Sequence, residues 1–163
     1  MATVHTPGDA HIAPATRLGR DGLPRTWQAY TEAAKKKVVD DALHILRRNV
    51  RGMRPCNDCF SRLPRGRTFD DILNDPTVFI SYDPANNGRF ATTLGNDITI
   101  TEFSIRVGRW TVAATLVHEF GHINGAPGDT HDAEGTLLCC GFSALHDPTI
   151  IGALIRPTDT VIA

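Results

Sequence analysis

Residues 118–122 read His-Glu-Phe-Gly-His, the pattern H-E-x-x-H, and they are the clearest reactive group in the chain. On a helix, His118 and His122 lie one above the other on the same face. Both imidazoles can then reach one zinc ion, while Glu119 lies beside them and can contact a water at the metal. The spacing therefore predicts Zn²⁺ as the cofactor, with Glu119 as a general base.

A catalytic zinc site uses three protein ligands and leaves the fourth position open. The downstream ligand-type residues are grouped in one short segment and comprise Asp129, His131, Asp132 and Glu134. We favour His131, because zinc prefers imidazole and a neutral ligand leaves the charge of the site at +2. One of the three acids is the alternative. An acid that is not a ligand would suit a role in accepting the free N–H of a ligand histidine.

The sequence around the motif predicts a rigid helix with one buried flank. Its apolar residues recur at helical spacing and are Trp110, Ala113, Ala114, Val117 and Phe120. A zinc site needs such a platform, because loosely held ligands do not fix the geometry of the metal.

The segment before this helix, Ile98–Val107, predicts a strand whose alternation shifts phase near Thr101-Glu102. We interpret the shift as a bulge or bend. If this strand lies at the edge of a sheet, its free backbone groups can bind an extended peptide.

The remaining elements predict one domain over residues 25–163, preceded by an irregular arm at 1–24 that is rich in proline and glycine. A long helix is expected over Thr26–Val50, because apolar residues recur along one face. Thr68–Asp71 resembles a capping box that opens a short helix. Further predictions are strands at Val78–Tyr82 and Phe90–Leu94 and a helix from Asp129-Thr130 to about Cys140. The predicted fold class is α+β with a small twisted sheet.

The net charge of −1 conceals a basic segment, because residues 17–67 hold 13 of the 17 Lys and Arg but five acids. One interpretation is a basic face that binds an acidic protein partner. The other is that the two halves of the chain neutralise each other. Binding to nucleic acid is not expected, since no nucleic-acid motif accompanies the charge. No apolar run approaches the roughly 20 residues that a membrane span needs.

The four cysteines form two close pairs, Cys56-x-x-Cys59 and Cys139-Cys140. Three interpretations stay open. The pairs form disulfides between the Cys56 segment and the later helix, which implies an oxidising compartment. Alternatively they are reduced core thiols, or they form a structural zinc site, for which the adjacent pair is poorly spaced. We favour the disulfides.

The motif and its surroundings resemble the zincin superfamily of zinc metallopeptidases. Metzincins extend the motif to H-E-x-x-H-x-x-G-x-x-H/D, and here Gly125 matches the glycine but Gly128 occupies the ligand position. Gluzincins place a glutamate much further downstream than Glu134. The deuterolysin-like aspzincins place an aspartate nine residues after the second histidine, where this chain has His131. The spacing is thus nearest to the aspzincins, with an altered third ligand. Small metallopeptidase toxin domains of bacterial secretion systems are similar in size and layout.

This resemblance implies a zincin-like hydrolase that cleaves peptide bonds of a peptide or protein substrate. Its setting is either that of a secreted bacterial effector in an oxidising space or that of an intracellular regulatory protease. Zinc would polarise the scissile carbonyl and lower the pKa of its water to about 7. Glu119 would take the proton of that water and pass it to the leaving nitrogen. Candidates for the donor that stabilises the oxyanion are Tyr82, His146 and Arg156.

The location and class of the protein leave further alternatives. The first ten residues lack the basic and apolar regions of a secretory signal peptide. We therefore expect a cytoplasmic protein, one exported to the periplasm or exterior by a non-classical route, or one whose leader has been removed. The alternative function is a non-enzymatic binding module with a basic helix and a structural or vestigial zinc site.

Overall fold

The computed structural model describes residues 1–13, 27–86, 88–128 and 130–142. The helices are α1 (Ala33–Ile45), α2 (Arg54–Ser61), α3 (Phe69–Leu73), α4 (Glu102–Val107), α5 (Arg109–Ile123) and α6 (Asp132–Cys139). The strands are β1 (Thr3–Val4), β2 (Phe79–Asp83), β3 (Ala91–Leu94) and β4 (Asp97–Thr101). The predicted α+β class is confirmed.

The four strands form one mixed sheet in the order β1-β2-β4-β3. Strand β2 runs parallel to both β1 and β4, whereas β3 pairs antiparallel with β4 through the turn at Gly95. Every residue of β4 is buried, while β3 alternates between half-buried and exposed residues. Strands β1 and β3 are therefore the two edges of the sheet among the described residues.

Helix α5, which carries the H-E-x-x-H motif, lies in the core and packs against α1 and α6. Leu116, Val117 and Phe120 are fully buried, and the helix is buried around most of its circumference. The prediction that Trp110 belongs to its buried flank is wrong, because that side chain is 39% exposed at the first turn. The rest of the helix provides the rigid platform that the apolar pattern predicts.

The predicted strand Ile98–Val107 is wrong in its second half. The strand ends at Thr101, whose side chain accepts the N–H of Ser104 and caps α4. The shift in alternation at Thr101-Glu102 thus marks a change from strand to helix, where we expected a bulge. Because β4 lies between β2 and β3, it has no free edge. The edge strand beside β4 is β3 instead.

The long N-terminal helix begins later than predicted, at Ala33, and residues 27–32 are extended. Gln28 exchanges two backbone hydrogen bonds with Tyr82 of β2, at 2.7 and 2.8 Å, which hold this segment out of the helix. The predicted apolar stripe of α1 is buried. A π-helical turn at Leu46–Val50 continues α1, and Gly52, at φ +81°, follows its end.

Several local predictions are confirmed. Thr68 and Asp71 form a complete capping box at α3. Strands β2 and β3 lie within a residue of the predicted positions, and α6 ends beside Gly141. In the segment expected to be an irregular arm, Thr3–Val4 instead forms β1, and residues 14–24 lie outside the described part of the chain.

The cysteines form two disulfides, Cys56–Cys140 and Cys59–Cys139, with sequence separations of 84 and 80 residues. They join α2 to the C-terminal end of α6. The disulfide interpretation, which we favoured, is thus confirmed. The Cys56-x-x-Cys59 segment is itself helical and lies within α2.

Much of the positive charge in the basic segment is paired with nearby acids. Lys36 and Lys37 bind Asp40 and Asp41 one turn along α1, both at 2.7 Å. Pairing within the fold thus accounts for part of the basic excess. Among the described residues, no helix has the length and apolarity that a bilayer crossing requires.

Candidate metal and catalytic site

The two histidines of the motif converge. The Nε2 atoms of His118 and His122 lie 3.0 Å apart, one helical turn from each other on α5. Two nitrogens bound to one tetrahedral zinc at about 2.0–2.1 Å are roughly 3.3 Å apart. The pair therefore has the spacing of two ligands of a single zinc ion.

The opposite side of the His122 ring is held by the backbone. Its Nδ1 lies 2.8 Å from the carbonyl oxygen of Ala126, which can only accept a hydrogen bond. Nδ1 therefore carries the proton in this contact, and Nε2 presents its lone pair toward His118. A backbone carbonyl that orients a ring in this way is a common outer partner of metal-binding histidines. With Nδ1 protonated and Nε2 unprotonated, His122 is suited to bind zinc through Nε2.

Glu119 is 4% exposed and lies between two elements. Helix α5 carries it, and Thr93 of the edge strand β3 donates its hydroxyl to Oε2 of the carboxylate. Burial raises the pKa of Glu119 above its usual value, while the Thr93 hydrogen bond and His122 act in the opposite direction. The carboxylate is thus a partly desolvated base whose orientation is fixed from the strand side.

These three motif residues line one open cleft of about 600 Å³. Its remaining walls are β3, the turn after α5 and two arginines, Arg65 and Arg89. The edge strand therefore lies beside the base and the histidine pair. An extended chain entering the cleft would meet the outer side of β3 and the Glu119 carboxylate together.

The structure does not bring His131 to the histidine pair. It is the N-cap of α6, its side chain is 94% exposed, and its Nδ1 lies 3.1 Å from Glu134 Oε2. Asp132 accepts a hydrogen bond from Thr130, and Asp129 lies outside the described residues. Within residues 1–13, 27–86, 88–128 and 130–142, no three His, Cys, Asp or Glu side chains are grouped to hold a metal. The histidine pair has the spacing of two ligands, and zinc binding and a third ligand from 129–134 stay predictions.

A buried asparagine fixes the turn after α5 against the loop that follows α2. Asn124 donates from Nδ2 to the carbonyls of Phe60 and Arg67, at 2.7 and 2.8 Å, and accepts the Arg67 N–H. Its backbone carbonyl accepts the N–H of Arg65. Gly125, at φ +95°, has no room for a side chain, because a Cβ there would lie 3.0 Å from that of Pro64. The hydrogen bond from the Arg65 N–H to the Asn124 carbonyl holds the Arg65 backbone beside the turn that follows His122.

Of the candidate oxyanion donors, Tyr82 is the one among the described residues, and it does not line the cleft. Tyr82 donates to Oε2 of Glu102 at 2.6 Å and accepts from Lys35, in a buried network between β2, α4 and α1. That network raises the pKa of Lys35, chiefly through its bond to Tyr82. Tyr82 does not line the cleft, so its proposed catalytic role is wrong for this conformation. His146 and Arg156 lie outside the described residues.

Sequence reasoning did not identify Thr93, Ala126, Arg65 or Arg89 as site residues. Thr93 lies in the segment predicted as a strand, but nothing in its type distinguishes it from Thr92. The two arginines belong to no motif. Gly125 and Pro127 flank Ala126 and favour a turn, which is the one local signal that a backbone carbonyl could fold back on His122.

The chain matches no protein-family model, and no curated protein or solved structure is significantly similar to it. A function is therefore inferred from the chemistry of the cleft.

Proposed function

We propose that the protein is a zinc-dependent peptidase of the zincin type, in which His118 and His122 provide two metal ligands and Glu119 is the general base. The observation that carries the proposal is the convergence of the two Nε2 atoms at 3.0 Å in a cleft that also contains the buried Glu119 carboxylate. A third ligand from residues 129–134 completes the site, with His131 as the first choice and Asp129, Asp132 or Glu134 as the alternatives.

Each residue of the cleft has a distinct task in this proposal. Zinc, when bound, supplies the Lewis acid that activates water and polarises the substrate carbonyl. Glu119 accepts a proton from the attacking water and returns it to the leaving nitrogen. The Ala126 carbonyl keeps Nε2 of His122 unprotonated. The outer side of β3 binds the substrate backbone as an added strand, because β3 ends the sheet among the described residues.

The two disulfides support an oxidising site of action, since such bonds are rare in reducing cytosol. We extend the proposal to a secreted bacterial effector that reaches an extracellular or periplasmic space. The substrate in that space is a peptide or protein.

A second candidate is a binding module with a structural or vestigial zinc site. The observation that favours it is that, among the residues the structure describes, no third ligand joins the histidine pair. The number of protein ligands on the zinc distinguishes the two functions. Three protein ligands and an exchangeable water favour the peptidase, whereas four protein ligands favour the module.

Metal analysis of the purified chain tests the zinc site. We expect about one zinc per wild-type chain and a large loss in His122→Ala, because one of three ligands is removed. His44→Ala is the matched control, since His44 is an exposed histidine on α1. Alanine replacements at 129, 131, 132 and 134 then identify the third ligand. Equal zinc in wild type and His122→Ala would rule out the proposed site.

A further inference from the structure

The cleft that holds the histidine pair is electropositive. Of its described lining residues, Arg65 and Arg89 carry permanent positive charge, and both are exposed at the surface. Glu119 is the one acid among those lining residues, and it is buried. Among the described lining residues, solvent and an incoming substrate therefore meet the exposed Arg65 and no exposed carboxylate.

Arg65 is held in place by its backbone. Its N–H donates to the carbonyl of Asn124 at 3.0 Å, two residues after His122. The absence of a side chain at Gly125 allows this close approach, because an added Cβ would lie 3.3 Å from Arg65 Cγ. The start of the Arg65 side chain is thus fixed relative to the histidine pair.

The positive charge of the Arg65 guanidinium is available to a ligand. Some other basic residues of the 17–67 segment form ion pairs, as Lys36 and Lys37 do on α1, and Arg67 binds Asp75 at 2.8 Å. The Arg65 guanidinium makes no ion pair or hydrogen bond with any residue that the structure describes. An exposed arginine that lines a cleft and whose backbone is anchored is suited to bind a carboxylate through two parallel hydrogen bonds.

Arg89 lies at the other wall, two residues before β3. Its backbone carbonyl accepts the hydroxyl of Thr101, which fixes the start of the strand. A chain that adds to the outer side of β3 would therefore pass Arg89 as well as the Glu119 carboxylate.

We propose that this cleft selects substrates that carry a carboxylate, with Arg65 as the residue that binds it. The proposal rests on the proposed peptidase function and names its substrate class. The carboxylate belongs either to an Asp or Glu side chain near the scissile bond or to the C-terminus of the substrate, since both present the same group to a guanidinium.

The experiment measures binding first, so that it does not depend on turnover. Zinc-loaded Glu119→Gln protein is titrated with a fluorescent peptide library in three matched forms. These have an internal Glu with an amidated C-terminus, an internal Gln with an amidated C-terminus, and an internal Gln with a free C-terminus. We expect one carboxylate form to bind at least about tenfold more tightly than the doubly neutral form, as expected for a charge-assisted hydrogen bond. The form that binds more tightly identifies the source of the carboxylate.

Adding Arg65→Ala should bring that ratio close to one, and Arg65→Lys should restore part of it. Arg62→Ala is the control, because Arg62 is exposed on the same loop but does not line the cleft. The preference should also weaken as salt is raised from about 0.05 to 0.5 M. Equal binding of the three forms, no binding of any form, or a preference that survives Arg65→Ala would overturn the proposal.

Cleavage of the same peptides by the wild-type protein separates this inference from the peptidase function. Cleavage without a preference for a carboxylate rejects the inference and keeps the peptidase. Carboxylate-dependent binding without cleavage rejects the peptidase and keeps the carboxylate site.

Discussion

Glu119 depends on a residue from another element for its orientation. Helix α5 supplies its backbone, but the hydroxyl that its Oε2 accepts comes from Thr93 on β3. Because burial raises the pKa of this carboxyl, a donor to its ionised form also helps to keep it a base. Thr93 is therefore a positioning residue in the proposed mechanism.

Replacing Thr93 with valine tests this role, since valine keeps the shape and removes the hydroxyl. A hydrogen bond to a charged group contributes about 1.5–3 kcal/mol, so we expect kcat to fall roughly 10- to 100-fold. Zinc content and KM should stay near wild type. Thr93→Ser should keep most of the activity because it restores the donor, and Thr92→Val, one residue away on β3, is the control. Equal kcat in Thr93→Val and wild type would remove Thr93 from the mechanism.

The residues of the motif were predictable, whereas their neighbours were not. His118, Glu119 and His122 follow from a local pattern, because a helix alone sets their relative placement. Thr93 and Arg65 reach the cleft only through the pairing of β3 with β4 and through the contact made by Asn124. Such contacts between distant segments leave no periodic signal in a single sequence.

At the scale of elements, Asn124 joins the turn after α5 to the loop after α2. Its side chain satisfies two backbone carbonyls and one backbone N–H in a buried place. Asn124→Ala removes these partners at once, and each unsatisfied buried group costs about 1–3 kcal/mol. We expect at least about 2 kcal/mol loss in the free energy of unfolding, measured by urea denaturation.

The control for that measurement is Asn49→Ala, because Asn49 is exposed after α1 and its loss should change stability by less than about 0.5 kcal/mol. If Asn124→Ala matches this control, the described hydrogen bonds do not stabilise the turn.

The two disulfides hold α6 against α2. Each closes a loop of some eighty residues, so the chain-entropy model gives about 3–5 kcal/mol for one such bridge. We expect Cys56→Ala/Cys140→Ala to lower the midpoint of urea unfolding in oxidising buffer, and reductant to have a similar effect on wild type. Mass mapping without reductant should recover peptides that link the two helices. Four free thiols after oxidative refolding would contradict the pairing.

Elements whose apolar residues recur at one constant spacing were predicted well. The boundaries at which one element ends and another begins were not. The buried stripe of α1 and the capping box of α3 are local signals. The start of α1 was wrong, because Gln28 pairs with β2 before the helix begins. The strand predicted through Val107 ends at Thr101 for a related reason. Its apolar residues continue past Thr101 at a spacing that suits either a strand or a helix. The hydrogen bond that the Thr101 hydroxyl accepts from the Ser104 N–H caps a helix there.

For the whole molecule, the periodic patterns of the sequence predicted the fold class, and tertiary contacts determined the cleft. The α+β class follows from the mixture of helical and alternating patterns. The formation of a cleft between edge strand β3 and buried helix α5 depends on the strand order β1-β2-β4-β3, which no local pattern encodes. The basic segment is partly neutralised within the fold, and its binding to an acidic protein partner stays a prediction.

The most direct test of the account compares zinc content and peptide hydrolysis in wild type, Glu119→Gln and His118→Ala. Glu119→Gln removes the base but no ligand, so zinc and melting temperature should stay near wild type while hydrolysis falls by about 10²–10⁴-fold. His118→Ala should lose both zinc and hydrolysis. Full hydrolysis by Glu119→Gln together with its loss in His118→Ala would contradict the general-base mechanism. Zinc binding by wild type with no hydrolysis in any of the three proteins would favour the structural-zinc module.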